Sequence, residues 1–238
     1  LVTDVPPVLL TIQTAAPAGG LAIADGERLM AEINLDVRQT PTEWLLQAIE
    51  DLLYKTDIGR KSLDGIGVVR GPGSFTGLRV GLATAKGLAL AAGCPLVGLS
   101  SLQCLAMQLP YTTLPVCSLL DARKQEVYAA FYRWESGFPH PLCAERVVKP
   151  ETLLADITGE TLFVGNGARV YRSLIVRQLA GRAHFAPDFL NFPGAGAAAA
   201  LALHEWRGGH MLTAEQLMPV YLRPSEAELN WRARGISG

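Results

Sequence analysis

Val68-Val69-Arg70-Gly71-Pro72-Gly73-Ser74-Phe75-Thr76-Gly77-Leu78-Arg79-Val80-Gly81 reads as a buried strand, a glycine-rich turn and the start of a helix. An alanine- and leucine-rich stretch carries that helix to residue 92, and Gly93 is its natural terminator. Gly77 and Gly81 leave the first turns without bulk. A turn of this kind can hold a phosphate, aim a serine, or let another helix come close, and the residues around it separate these uses.

A phosphate-binding P-loop needs GxxxxGK[ST], so that a lysine meets the phosphates. Here the turn from Gly71 to Gly77 is followed by Leu78-Arg79, and Pro72 has no N–H to donate. The dinucleotide-binding pattern also fails, because Pro72 and Phe75 crowd the turn. The N–H groups of Ser74, Phe75 and Thr76 at a helix start can still attract an anion, and Ser74 or Thr76 can equally cap the helix. Ser74 lacks the GxSxG frame of a hydrolase nucleophile, and His140, His184, His204 and His210 all fall late in the chain. No HExxH or HxxxH pair offers a metal site.

Close contact is the remaining use. Gly73, Gly77 and Gly81 recur every four residues, and Thr84, Ala85 and Leu88 continue a small surface that Phe75 and Leu78 complete. Glycine inside a helix costs about 1 kcal/mol relative to alanine. Gly77, Gly81 and Gly87 therefore require compensation, from packing on the domain's own sheet or from a helix of a partner. A second helix, residues 42–54, supplies bulk for such a face through Trp44 and Leu45, with Ala48 adjoining. Its start is marked by Thr40, Pro41 and Glu43, a capping box with proline at the first helical position.

The whole chain sets the frame. Its 238 residues are 49% hydrophobic and 18% charged, with a net charge of -1. That suffices for one large or two small cores, and it lacks the global basic signature of an autonomous nucleic-acid binder. The low charge fits a large α/β core or an apolar surface covered by a partner. Cys94, Cys104, Cys117 and Cys143 form no CxxC pair, and Leu1-Val2-Thr3-Asp4 opens no basic-then-apolar export signal. Isolated thiols then fit a reducing cytoplasm, and no stretch is expected to span a membrane.

Outward from the decisive run, residues 8–12, 21–24 and 28–35 read as three strands of a meander, with a tight turn at Asp25-Gly26. Residues 65–69 and 96–99 are further strands, and a helix runs over 100–109. A second unit opens with strands at 115–120 and 126–132 around an Asp121–Lys124 turn. A loop at 134–141, a helix at 151–157, a strand at 162–164 and helices at 169–179 and 195–206 follow. The tail is an extended arm at 219–224 and a polar terminus expected to fray. Two halves that each open with a hairpin suggest a duplicated mixed α/β fold, with lobes at 1–109 and 110–238. Asp121 at a strand end reads as a magnesium ligand or as a turn residue. Gly165 and Gly167 read as a ligand-approaching turn or as positions needing positive φ.

These residues carry a resemblance. The run from Arg70 to Gly81, with Ala83-Thr84-Ala85-Lys86-Gly87-Leu88-Ala89, resembles the hallmark of the bacterial TsaB (YeaZ) family. Leu119-Leu120-Asp121-Ala122-Arg123-Lys124-Gln125-Glu126-Val127-Tyr128, Val164-Gly165-Asn166-Gly167-Ala168 and Pro219-Val220-Tyr221-Leu222-Arg223 follow in the family's order. The resemblance implies a degenerate two-lobed actin-like, ribonuclease-H-like fold. It implies an accessory subunit, without catalysis or cofactor of its own, in threonylcarbamoyl-adenosine modification of tRNA. It implies pairing with a TsaD-type catalytic subunit, a TsaE-type ATPase docking on that pair, a homodimer when alone, and contact with tRNA through the complex. The first two helices of the first lobe would form the pairing face. Two departures from the family pattern are expected to weaken nucleotide handling: Gln13-Thr14 where an Asp-Thr pair is usual, and Arg38-Gln39 where a histidine is common.

Overall fold

The computed structural model describes residues 5–36 and 40–223, so Arg38-Gln39 and the tail from Pro224 lie outside the described residues. The first sheet contains β1 (Val8–Gln13), β2 (Gly19–Asp25), β3 (Arg28–Leu35), β4 (Gly65–Gly71) and β5 (Leu96–Ser100), in the order β3-β2-β1-β4-β5. The meander is antiparallel, as its hairpin spacing predicts, whereas β4 and β5 continue from β1 in parallel. Parallel strands covered on both faces are apolar throughout, and β4 is buried at every residue except Arg70, which is half-buried.

The second sheet contains β6 (Val116–Asp121), β7 (Val127–Glu135), β8 (Phe138–Pro141), β9 (Arg146–Val148), β10 (Thr161–Val164) and β11 (Ala183–Phe185). Read from its β8 edge, its order is β8-β7-β6-β10-β11, with β9 also on β7. Three strands are joined as hairpins, and then two run parallel to the first of them. This is the topology of the first sheet again. The duplication hinted at by the two hairpin starts is thus present in the strand order.

Helices α1 (Pro41–Thr56) and α2 (Phe75–Ala92) lie on one face of the first sheet and touch each other. At the start of α1, the Glu43 carboxylate accepts the Thr40 N–H at 2.5 Å. At the start of α2, Ser74 Oγ accepts the Gly77 N–H at 3.3 Å, and Gly93 ends the helix at φ 73°. Helix α3 (Ser101–Met107) links the lobes. Helices α4 (Pro150–Ala155), α5 (Asn166–Val170) and α6 (Arg172–Leu179) belong to the second lobe, and α7 (Ala195–Arg207) closes the described helices.

The structure alters four expectations. Residues 134–141 are not a loop: Ser136 and Gly137 take φ of 52° and 85°, a tight turn that lets β7 and β8 pair. The short strands β9 and β11 carry no alternating pattern long enough to announce them. The helix expected at 169–179 starts at Asn166 and breaks at Tyr171. Most consequential, α7 packs mainly on the first sheet and meets the second at its β8 edge, where the His204 and Phe138 rings lie 4.0 Å apart. Ala198, Leu201, Ala202 and Leu203 join the core of β1, β4 and β5, and Ala195 and Ala199 cluster with Ala22 and Ala24. Small residues make this fit: a Cβ on Gly67 would lie 2.9 Å from the Ala202 Cβ. The first lobe is therefore assembled from both ends of the sequence, and a division at 109/110 leaves out the helix that covers its other face.

A polar seam ties the lobes beside α3. The Glu145 carboxylate accepts the hydroxyls of Ser100 and Tyr132, the latter at 3.3 Å, while Ser100 Oγ caps α3 by accepting the N–H groups of Leu102 and Gln103. Burial pushes the Glu145 carboxyl above its ordinary value, opposed by these hydroxyls and by the Arg70 charge.

Candidate functional site

The glycine stripe of α2 is spent inside its own lobe. The Ser74 N–H donates to the Ala15 carbonyl at 2.7 Å, and Thr14 Oγ1 donates to the Gly77 carbonyl at 2.8 Å. A Cβ on Gly73 would overlap the Ala15 carbonyl, one on Gly77 the Thr14 carbonyl, and one on Gly81 the Thr14 hydroxyl. The compensation for these glycines is thus close seating of the β1–β2 loop, residues 14–18. Leu78 and Ala85 are buried with them, as are Trp44 and Leu45 on α1. Of the residues singled out for the pairing face, Ala48, Gly73, Phe75, Thr84 and Leu88 keep partial exposure.

The outward surface of the two helices carries different residues. Leu46 and Tyr54 on α1 are 62% and 88% exposed, and Leu90 on α2 is 83% exposed. Val80, Ala83, Gly87 and Leu90 recur at three- and four-residue spacing, so they share a face. A Cβ on Gly87 would meet nothing within 4 Å. Gly87 is the position that the four-residue stripe passes over. The sequence marks it as a helix-interior glycine that requires compensation, and the chain itself supplies none.

Between the lobes lies a cleft of about 640 Å³. Its first-lobe wall includes Ser74, Phe75 and Arg79, and its second-lobe wall includes Asp121, Arg123, Lys124 and Asn166. The Asp121 N–H donates to Asn166 Oδ1, and Asp121 Oδ1 accepts the Arg123 N–H, both at 3.0 Å. Arg123, Lys124 and Gln125 take φ of 62°, 51° and 60°, three successive left-handed residues that side chains other than Asn, Asp and Gly seldom adopt. The C-terminal arm crosses the mouth. Tyr221 stacks on Phe75 with centroids 4.9 Å apart, the Arg79 guanidinium sits 3.9 Å from the Phe75 centroid, and Arg79 Nε donates to the Tyr221 hydroxyl at 3.4 Å. Arg223 donates to the Ala122 carbonyl and pairs with Glu126, each at 3.1 Å. Burial pushes the Tyr128 hydroxyl up, with the Arg223 charge opposing.

Gly165 and Gly167 stand behind this cleft, not in its lining. Gly165 has φ 106°, its N–H donates to Asn191 Oδ1 at 2.9 Å, and a Cβ there would overlap the Leu119 carbonyl. Gly167 presses on Leu119 in the same way. The neighbour that faces the cleft is Asn166. Gln13 is buried and fully engaged. Its Nε2 donates to the carbonyls of Ala18 (3.1 Å) and Pro193 (2.7 Å), and its Oε1 accepts the Ala15 N–H (2.8 Å). Among the described residues no three His, Cys, Asp or Glu stand close enough together to hold a metal ion, and no helix is long and apolar enough to cross a membrane.

Comparison with known proteins fits this architecture. Residues 37–231 match the family model described as TsaD, tRNA N6-adenosine threonylcarbamoyltransferase. The tRNA threonylcarbamoyladenosine biosynthesis protein TsaB of Escherichia coli K12 is 32% identical over 92% of this chain and 96% of its own length. The Haemophilus influenzae protein of the same name is 29% identical over 94% and 95%. A Pseudomonas aeruginosa crystal structure, described by similarity to the peptidase YeaZ, superposes with a TM-score of 0.80 at 28% identity. It covers 91% of this chain and all of that one.

Proposed function

We propose that this chain, which belongs to the TsaB (YeaZ) family of tRNA threonylcarbamoyladenosine biosynthesis proteins, is a noncatalytic accessory subunit of a cytoplasmic tRNA-modifying complex. It binds and activates a TsaD-type catalytic subunit, a TsaE-type ATPase docks on the pair, and the same face forms a homodimer when the chain is alone. The observation that carries this reading is the outer surface of α1 and α2. Leu46 and Tyr54 on α1 and Leu90 on α2 are exposed apolar side chains, and Gly87, one turn before Leu90, is a helix-interior glycine that no contact within the chain requires. Glycine at such a position lets a partner's backbone approach closely, and exposed apolar residues on the same pair of helices are the mark of an interface.

A kinase- or hydrolase-like use of the cleft has Gln13 against it. The amide stands where a carboxylate would be needed, and all three of its hydrogen bonds go to main-chain groups, two in the β1–β2 loop (Ala15 and Ala18) and one at Pro193 before α7. That reading requires magnesium-dependent binding of ATP by the isolated chain, which calorimetric titration would detect.

The deciding experiment is reconstitution of tRNA modification with the cognate TsaD- and TsaE-type subunits. Wild-type chain should restore product. Gly87→Trp should fold normally, because the site is open, yet lose co-elution with the TsaD-type subunit and lose product. Full pairing and full modification by Gly87→Trp would refute the assignment of this face.

A further inference from the structure

We propose that the mouth of the interlobe cleft is a contact site for the phosphodiester backbone of RNA, placing this chain in direct touch with the tRNA. The inference rests on the accessory-subunit reading for the identity of the RNA, and on the rim of the cleft for the contact.

Charge is distributed unevenly in this molecule. The chain carries a net charge of -1, yet four cationic side chains line one opening: Arg79 from α2, Arg123 and Lys124 from the β6–β7 turn, and Arg223 from the arm. Asp121 pairs with Arg123 there and Glu126 with Arg223, and Lys124 is engaged as well, so the freest cation of the rim is Arg123. The Arg123 side chain remains 82% exposed, and its nearest carboxylate oxygen is 3.7 Å away, a pair that solvent screens heavily.

The cations sit at the rim, and the floor is occupied. The β1–β2 loop fills it with Ala15 and Ala16, which are buried, and the Ser74 and Gly77 N–H groups at the helix start are committed to Ala15 and Ser74 oxygens. A compact polyphosphate seated deep in the cleft would find few donors. An extended strand of phosphates crossing the opening would meet cations from both lobes. The exposed part of Tyr221, already aligned with Phe75 and Arg79, adds an aromatic ring of the kind on which RNA bases stack.

The β6–β7 turn supports the same reading. Three successive non-glycine residues held at positive φ are a strained arrangement, and strain of this kind gathers where side chains must be presented in a fixed direction. Here it projects Arg123 and Lys124 at the mouth.

The test is fluorescence anisotropy with labelled tRNA transcript, on the isolated chain and on its complex with the TsaD-type subunit, over a range of salt. The variant is Arg123→Asn with Lys124→Asn. It removes both charges with a residue that tolerates left-handed backbone, so the turn is preserved. It should weaken tRNA binding by about tenfold and lower the salt slope by at least about 1, the share of a phosphate that Arg123 no longer neutralises. Co-elution with the TsaD-type subunit should be unchanged, which separates this inference from the pairing assignment. Unchanged affinity and slope in the variant would overturn it, as would absence of any contribution of this chain to tRNA binding in the complex. Tight binding of ATP or pyrophosphate that these substitutions abolish, with tRNA binding intact, would reassign the rim to a small polyphosphate and overturn it as well.

Discussion

Gly77 and Gly87 sit on one helix in opposite surroundings, and the same substitution should move stability in opposite directions. At Gly77 a methyl group would drive into the Thr14 carbonyl, a backbone atom that cannot rotate away. Gly77→Ala should therefore cost about 2–3 kcal/mol, the scale of overpacking a tight contact. At Gly87 a methyl meets nothing, and Gly87→Ala should gain up to about 1 kcal/mol from helix propensity alone. Urea denaturation of both variants checks the pair; equal effects would mean that the β1–β2 loop does not depend on the glycine contact. The repeat of Gly73, Gly77 and Gly81 was legible in the sequence as a demand for close approach. What approaches was not, because Thr14 and Ala15 lie far away in the chain and no local pattern connects them to α2. Gln13 was legible as the loss of a carboxylate, but its three hydrogen bonds to main chain were not.

At the scale of elements, helices and long strands followed from periodicity and caps, and the errors fell where three or four residues form a strand. Strands β9 and β11 exist because neighbours in the sheet supply their hydrogen bonds, which is tertiary information. The seam at Glu145 is of the same kind. Nothing in the sequence joins Ser100, Tyr132 and Glu145, yet together they fix the start of α3 against β7. Its burial has a consequence for pH. The folded chain holds this carboxyl above the ordinary value of 4.5. A carboxyl raised in this way contributes stability while it is protonated, and that contribution is lost as pH rises through its folded value. Glu145→Gln keeps an acceptor for both hydroxyls and removes the titration. From pH 4.5 toward neutrality the variant should gain in stability relative to wild type, measured by urea unfolding across that window. Parallel curves for the two proteins would show that Glu145 does not titrate differently on folding.

At the scale of the whole molecule, the two-lobed fold was readable from two hairpin starts and a glycine turn, but the ownership of α7 was not. An alanine-rich helix advertises only that it will pack closely, and the complementary surface of Gly20, Ala22, Ala24 and Gly67 is at the other end of the chain. Removing residues 195–223 should bare that surface. Hydrogen exchange should then show reduced protection in β1, β2 and β4 with protection retained in β6, β7 and β10. Retained protection throughout the first sheet would mean that α7 is dispensable to it.

The return of α7 also sets a timetable. A ribosome delivers the residues of the second sheet, 116–185, as one uninterrupted run, so that lobe has all its strands before α7 is made. The first lobe, although its strands are made earliest, must wait with its alanine and glycine face open until residues 195–207 emerge. Domains tend to fold as units in the order of synthesis; here the order is reversed, and the lobe that carries α1 and α2 is the last to be completed. A newborn chain therefore gains its finished first lobe only after the strands of the other lobe have all left the ribosome.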